Sequence, residues 1–300
     1  MNGLRKTVLP VREVLQGGKM LSLELITRIK KNGNHFAGWA DEYSRSVDRP
    51  QRDAHYQQLC DMLDVRDNDY VVDAPSGTGK ETLDTIALRL RNGFVDGIDL
   101  APDMISLAQR LQREKQVYNA RFILGSVENL PIRSDSVNKI ISGHGYQWFK
   151  NPNVALGEFN RILKDDGDLG LMTILHGTFG PMIDAMNAVI NRLPEYYNGR
   201  TAEKIMGFVP QSENSLHTAL ESYGFGNIEF QIPTPEMADD FESHLLKTRA
   251  IAATKNYFER LPDNARIIAN EIVKGELLRK ELIEEKTILV KARVKKKRRL

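Results

Sequence analysis

The 300-residue chain is poor in several features that would narrow its chemistry at once. It has a single cysteine, Cys60, which excludes an internal disulfide and any cysteine-based zinc site. Cys60 lies in a helical stretch ahead of the first strand and reads as a core residue. No apolar run approaches the ~20 residues of a membrane span, and the N-terminus has no unbroken apolar signal-peptide region. A cytoplasmic protein without a membrane span is therefore expected. Charge of one sign is also lacking: 42 Lys and Arg against 40 Asp and Glu give +2, which supplies no global pull toward nucleic acid or acidic membrane. Internal repeats and low-complexity linkers are absent. What is abundant is apolar character, 41% of residues, ample for one large α/β core.

The informative stretch is Val71-Val72-Asp73-Ala74-Pro75-Ser76-Gly77-Thr78-Gly79, an apolar run that ends in an acid and a small-residue turn. A helical pattern from Lys80 to Arg91 follows. Glycine permits φ > 0 and a close backbone approach, and the free N–H groups of a helix start attract electron-rich groups, so this unit reads as a nucleotide-type cradle. Two cradles compete. As a phosphate loop, Ala74-x-x-x-x-Gly79-Lys80 fits a relaxed Walker pattern, but Glu81 stands where a magnesium-binding hydroxyl belongs. As an adenosine-binding turn of a Rossmann-like unit, it needs a second strand ending in an acid for the ribose hydroxyls. Phe94-Val95-Asp96-Gly97-Ile98-Asp99 supplies one, with a helix pattern over Pro102 to Lys115 behind it, which favours the adenosine reading.

On these residues the chain resembles the class I S-adenosylmethionine-dependent methyltransferases, in particular the small-molecule type that includes ubiquinone and menaquinone methylases. The resemblance covers about residues 36–175. Asp73 to Gly79 is similar to the family's first motif, Gly97-Ile98-Asp99-Leu100-Ala101-Pro102-Asp103-Met104 to its second, and Gly125-Ser126-Val127-Glu128-Asn129-Leu130-Pro131 to its third. Tyr146-Gln147-Trp148-Phe149 through Glu158 to Gly167 resembles the stretch leading from strand four into strand five. The resemblance implies an S-adenosyl-L-methionine site formed by Tyr43, Asp73, Ala74, Pro75, Ser76, Gly77, Gly79, Asp99, Leu100, Met104, Ser126, Val127, Glu128 and Gly143, without a metal. Two positions depart from the pattern. Pro75 replaces the usual first glycine and removes an N–H donor; Ser126 stands where an Asp commonly accepts from the adenine amino group. Both leave open a non-catalytic binding module on the same fold.

Strand patterns recur near residues 119–124, 136–142, 168–175, 226–232 and 286–294, separated by Asp, Asn, Ser and Gly turns. The expected fold is α/β: a Rossmann-like, seven-stranded, mostly parallel sheet with helices on both faces and a helical cap, the last strand returning antiparallel beside strand five as the resemblance implies. Helical patterns precede strand one over residues 36–45 and 52–63, follow strand five over 181–192 and 211–223, and end in a long charged helix over 263–285. Residues 1–35 are expected to form an N-terminal extension, with residues 36–300 the methyltransferase domain. The extension and insertions about 177–206 and 234–262 are candidate lids, since connecting loops at the C-terminal strand ends shape the pocket in such sheets.

Methyl transfer is an in-line displacement, so alignment and exclusion of water come first, with a base only where the nucleophile must lose a proton. His144 follows strand four and His176 strand five, both at the expected active-site face. Either is a candidate base, although a strand-end histidine can equally cap backbone groups. Tyr146 and Trp148 are expected as walls of the reacting centre. The expected partner is a small, partly apolar metabolite whose reacting atom is O, N or C. Nucleic acid is disfavoured, because the basic run Lys295 to Arg299 stands alone without interleaved aromatics.

Overall fold

The structure, a computed structural model, describes residue 40 and residues 50–175, 180–202, 212–233, 261–278 and 287–295. Helix α1 (Pro50–Met62) precedes β1 (Tyr70–Asp73). Helical segment α2 joins a π-helical stretch, Thr82–Ile86, to Ala87–Arg89. Then follow β2 (Phe94–Asp99), α3 (Pro102–Lys115), β3 (Ala120–Leu124), β4 (Val137–Gly143), α4 (Pro152–Ile162) and β5 (Leu163–Ile174). Helix α5 (Gly180–Arg192), α6 (Glu213–Ser222), β6 (Phe225–Gln231), α7 (Asp263–Leu278) and β7 (Thr287–Val294) complete the described elements.

The seven strands form one sheet in the order β3-β2-β1-β4-β5-β7-β6. The β1–β2, β1–β4, β2–β3 and β4–β5 pairs are parallel, and β7 runs antiparallel to both β5 and β6. The chain winds outward from β1 in one direction and resumes at β4 in the other, so the switch point lies between β1 and β4, where sheets of this kind bind ligands beyond the carboxyl ends of their strands.

Alternation along the strands assigns the two faces. Val72, Ile98, Ile140 and Leu171 join Leu156 and Phe159 of α4 and Leu216 and Leu220 of α6 in one buried cluster. Their neighbours Val71, Val95, Ile141 and Met172 join Leu59 and Leu63 of α1, Ile86 of α2 and Ile105 and Ala108 of α3 in the other. A third cluster forms a cap: Ala185, Met186 and Val189 of α5 pack with Ala265, Ala269 and Val273 of α7 around Ile174, the last residue of β5.

Acids within the strands are tied down by cations. Asp168 of β5 accepts from Lys139 of β4 and from Arg293 of β7. Fully buried Asp96 of β2 accepts Tyr70 Oη at 2.6 Å and a fork from Arg121 at 2.8 and 2.7 Å. These bonds satisfy charges that burial alone would make costly.

The structure departs from the sequence reading in two places. Strand β5 begins at Leu163, within the stretch read as a turn, because Leu163 pairs with Val137 through the backbone although residues 164–166 are exposed. The helix expected over 80–91 is π-helical at its centre and stops at Arg89. The helix expected over 36–45, apart from Ala40, and the insertion over 234–260 lie outside the described residues.

Candidate functional site

The turn after β1 is anchored strand by strand. Ala74 N–H donates 2.9 Å to Ile141 O of β4, and Ser76 N–H donates 2.9 Å to Ile98 O of β2. Asp73 is buried and accepts from the hydroxyl of Thr82, which ties the end of β1 to α2. Gly77 and Gly79 take left-handed φ of +53° and +74°. No atom of the described residues lies within 4 Å of where a Gly77 Cβ would sit, so among them the outer side of the turn is open. The Ala74–Pro75 peptide is cis.

Asp99, at the end of β2, closes the cradle. Gly77 N–H donates 2.8 Å to Oδ2 and Ala101 N–H donates 2.8 Å to Oδ1. Loss of water around the carboxyl pushes its pKa above the usual aspartate range, against the pull of the N–H donors of Ala101, Gly77 and Leu100. A carboxylate has acceptor capacity beyond these bonds, and ribose hydroxyls suit it.

The phosphate-loop alternative places Lys80 over the loop. Instead Lys80 Nζ sits 2.8 Å from Asp53 Oδ1 of α1, with its side chain 14% exposed, and Glu81 is buried. The lysine that would cradle phosphate is committed to another carboxylate.

The remaining expected residues fall into three groups. Leu100 is half-buried, and Met104 packs with Ala101, Leu107 and Ala40 beside the cradle. Ser126 is buried; its Oγ accepts from Glu128 N–H at 3.2 Å, closing a tight turn after β3 beside half-buried Val127. Glu128 reaches across to Asn151 N–H at 3.0 Å, joining that turn to the start of α4. Tyr43 and His176 lie outside the described residues.

His144 is half-buried at φ +50°, and its N–H donates 2.7 Å to Met172 O of β5. Its flanking glycines are held from two sides. A Cβ on Gly143 would lie 1.8 Å from the hydroxyl of Tyr56 of α1, and one on Gly145 would lie 2.1 Å from Pro75 Cδ. Larger residues there would push α1 or the cradle away, so both glycines are required by close approach.

Tyr146, expected as a wall of the reacting centre, has its ring in the core instead: it is 3% exposed and packs against Phe149 at 5.5 Å. Burial pushes its phenol up to about 12, which keeps it protonated at neutral pH. Trp148 packs against the cap. The residue between them, Gln147, is buried and accepts from Thr173 Oγ1 of β5 at 3.0 Å. Gln147, Thr173, Tyr56 and Thr82 escaped the sequence reading; a polar residue between two aromatics after strand four was the available signal for Gln147.

Fold and turn together define a Rossmann-like α/β protein in which the open turn after β1 and the carboxylate at the end of β2 lie beside one another at the carboxyl ends of the strands. A family model described as a methyltransferase domain matches residues 72–171, from β1 into β5. The chain is 34% identical over 201 residues to the uncharacterised protein MJ1252 of Methanocaldococcus jannaschii, covering 62% of this chain and 74% of that one. It is 24% identical over 182 residues to the malonyl-[acyl-carrier protein] O-methyltransferase of Marinomonas sp., covering 61% and 64%. Among solved structures it is similar to Haemonchus contortus phosphoethanolamine N-methyltransferase 2 in complex with S-adenosyl-L-methionine, with a TM-score of 0.58 at 14% identity, covering 93% of this chain and 61% of that one. Residues 72–171 of the chain thus form a domain of the methyltransferase family. It spans 37% to 64% of the length of three malonyl-[acyl-carrier protein] O-methyltransferases that it matches. Among the described residues no helix is long and apolar enough to cross a membrane, and no cluster of His, Cys, Asp and Glu could hold a metal ion.

Proposed function

We propose that this chain binds S-adenosyl-L-methionine in the cradle after β1 and moves its methyl group to a small, partly apolar metabolite. The observation that carries this reading is the pairing of an open left-handed turn at Gly77 with the carboxylate of Asp99 at the end of the adjacent strand. The residues present fit the cofactor. Asp99 offers acceptor oxygens to ribose hydroxyls, the Asp73–Gly79 turn offers a close backbone surface to the methionine part, and the buried Ser76 Oγ has no hydrogen-bond partner among the described residues. When bound, the cofactor supplies an electrophilic methyl on a sulfonium.

The protein contributes alignment and dryness. His144, fixed between Tyr56 and Pro75, takes a proton from the acceptor where one must be lost, or orients it where none is. The α5–α7 cap, joined to the site through Trp148 and Ile174, covers the strand ends and supplies an apolar wall. The turn after β3, through Ser126 and Val127, borders the adenine side; Ser126 Oγ keeps an O–H to donate. The single histidine at the end of β4 leaves the acceptor atom open among O, N and C.

Calorimetric titration with S-adenosylmethionine and with ATP–magnesium tests the binding claim. Saturable binding of the first is expected; binding of ATP–magnesium alone overturns the reading. Screening metabolite pools for S-adenosylhomocysteine formation tests turnover, and cofactor binding without turnover across broad pools supports a non-catalytic module.

A further inference from the structure

Gln147 sits at the junction of every part of the site. Two residues before it, Gly145 touches Pro75 of the cradle; one residue after it, Trp148 packs on the cap; and Thr173, the next-to-last residue of β5, bonds its side chain. The side chain is 6% exposed. Its Oε1 accepts from Thr173 Oγ1, whereas its Nε2 has no hydrogen-bond partner among the described residues. An amide nitrogen donates and cannot accept. A nearly buried NH₂ without an acceptor is costly, and a bound oxygen removes that cost. Thr173 is wholly buried; its hydroxyl donates to Oε1 and so turns the NH₂ away from β5.

We propose that Gln147 is an acceptor-positioning residue: its Nε2 donates a hydrogen bond to a carbonyl or carboxylate oxygen of the molecule that receives the methyl group. The inference rests on the methyltransferase reading and narrows its substrate class. A neutral donor suits either oxygen and offers nothing to an ammonium group, so acceptors bearing C=O or COO⁻ are selected over simple alkylamines. The competing role for Gln147 is to pin the Tyr146–Trp148 turn to β5, which the Thr173 bond alone accomplishes.

The full chain, saturated with S-adenosylhomocysteine and labelled with ¹⁵N in its glutamine side chains, is titrated with octanoate, 2-octanone and octylamine. The Gln147 NH₂ signal is assigned by its loss in Gln147→Met. The expected result is binding of octanoate, 2-octanone or both with a shift of that signal, little response to octylamine, and about tenfold weaker binding of the oxygen-bearing probe in Gln147→Met with S-adenosylhomocysteine affinity unchanged. The tighter of the two oxygen-bearing probes identifies carboxylate or carbonyl. Thr173→Val, which frees the amide to rotate, weakens the same probe severalfold and serves as the test if Gln147→Met does not fold. Retained S-adenosylhomocysteine binding with an unmoved Gln147 signal, or equal probe affinity in wild type and variant, overturns the positioning role and leaves the methyltransferase reading intact. Failure to bind S-adenosylhomocysteine overturns both.

Discussion

Two aspartates of β2, three positions apart, have opposite surroundings. Asp96 lies within the sheet, wholly buried, and is saturated by Arg121 and Tyr70. Asp99 lies at the carboxyl end and accepts from N–H groups of Ala101 in its own loop and of Gly77 in the turn after β1, with no side-chain partner among the described residues. The same contrast divides the molecule. Asp96 and Asp168 are neutralised by cations on neighbouring strands and serve folding; Asp99, at a strand end, is held by backbone N–H groups and keeps acceptor capacity for a ligand. A buried acid fully paired by side chains reads as structure, and one capped by loop N–H groups at a switch point reads as a site.

The largest expected effect lies at the strand ends. His144→Asn keeps a residue that tolerates the left-handed region but removes the proposed base. Turnover, measured as S-adenosylhomocysteine release with an acceptor found by screening, should fall by roughly 10²–10⁴. Undiminished turnover between pH 6 and 9 would remove His144 from the chemistry.

Next comes the structural half. Asp96→Asn presents an NH₂ to donors that need acceptors and should cost about 3 kcal/mol in urea unfolding, the typical cost of breaking a buried ion pair. A loss below 1 kcal/mol would make the Arg121 fork, whose side chain is 60% exposed, a surface pair.

Acidification should separate the halves more gently. Burial pushes the Asp168 carboxyl up, but the hydrogen bonds and charges of Arg293 and Lys139 outweigh it and hold the group below the usual aspartate range. A lowered folded pKa means this stabilisation is present above the unfolded value of about 3.9 and is lost as pH falls through the folded value. Asp168→Asn should therefore flatten the acid limb of the stability curve, and an unchanged limb would show that other carboxylates set it. Asp99, shifted the opposite way, becomes protonated at a higher pH than an ordinary aspartate, so cofactor affinity should weaken on acidification before the fold does.

The smallest effect is expected at Tyr146. Its ring packs in the core, and with a phenol pushed up to about 12 it remains protonated at assay pH, so Tyr146→Phe should change turnover by less than about threefold. A hundredfold loss would place its hydroxyl at the reacting centre.

Much of this contrast was legible in the sequence where side chains and backbone carry the same message. Phe94–Asp99 and Pro102–Lys115 have the expected bounds, because an apolar run ends in an acid and a proline opens the following helix. The start of β5 was not legible, since Lys164, Asp165 and Asp166 are exposed and fall in the irregular stretch between the Leu163–Val137 and Asp168–Lys139 pairs. The cap was read as insertions separate from the charged helix after residue 263, yet α7 joins its core through Ala265, Ala269 and Val273, which recur at helical spacing among charges. Gln147 was passed over because composition does not show that a glutamine beside tryptophan is buried, nor which of its two amide atoms is already engaged.

The most direct test of the division between paired and ligand-ready acids pairs unfolding with titration in two variants of one strand. S-adenosylmethionine is titrated calorimetrically into wild type, Asp96→Asn and Asp99→Asn, and each is unfolded in urea. The account predicts that Asp99→Asn loses affinity by about 2–3 kcal/mol, the strength of charged hydrogen bonds, while stability falls by about 1 kcal/mol. Asp96→Asn should show the reverse, with affinity per folded molecule unchanged. Wild-type affinity in Asp99→Asn, or equal losses of affinity and stability in both variants, would contradict it.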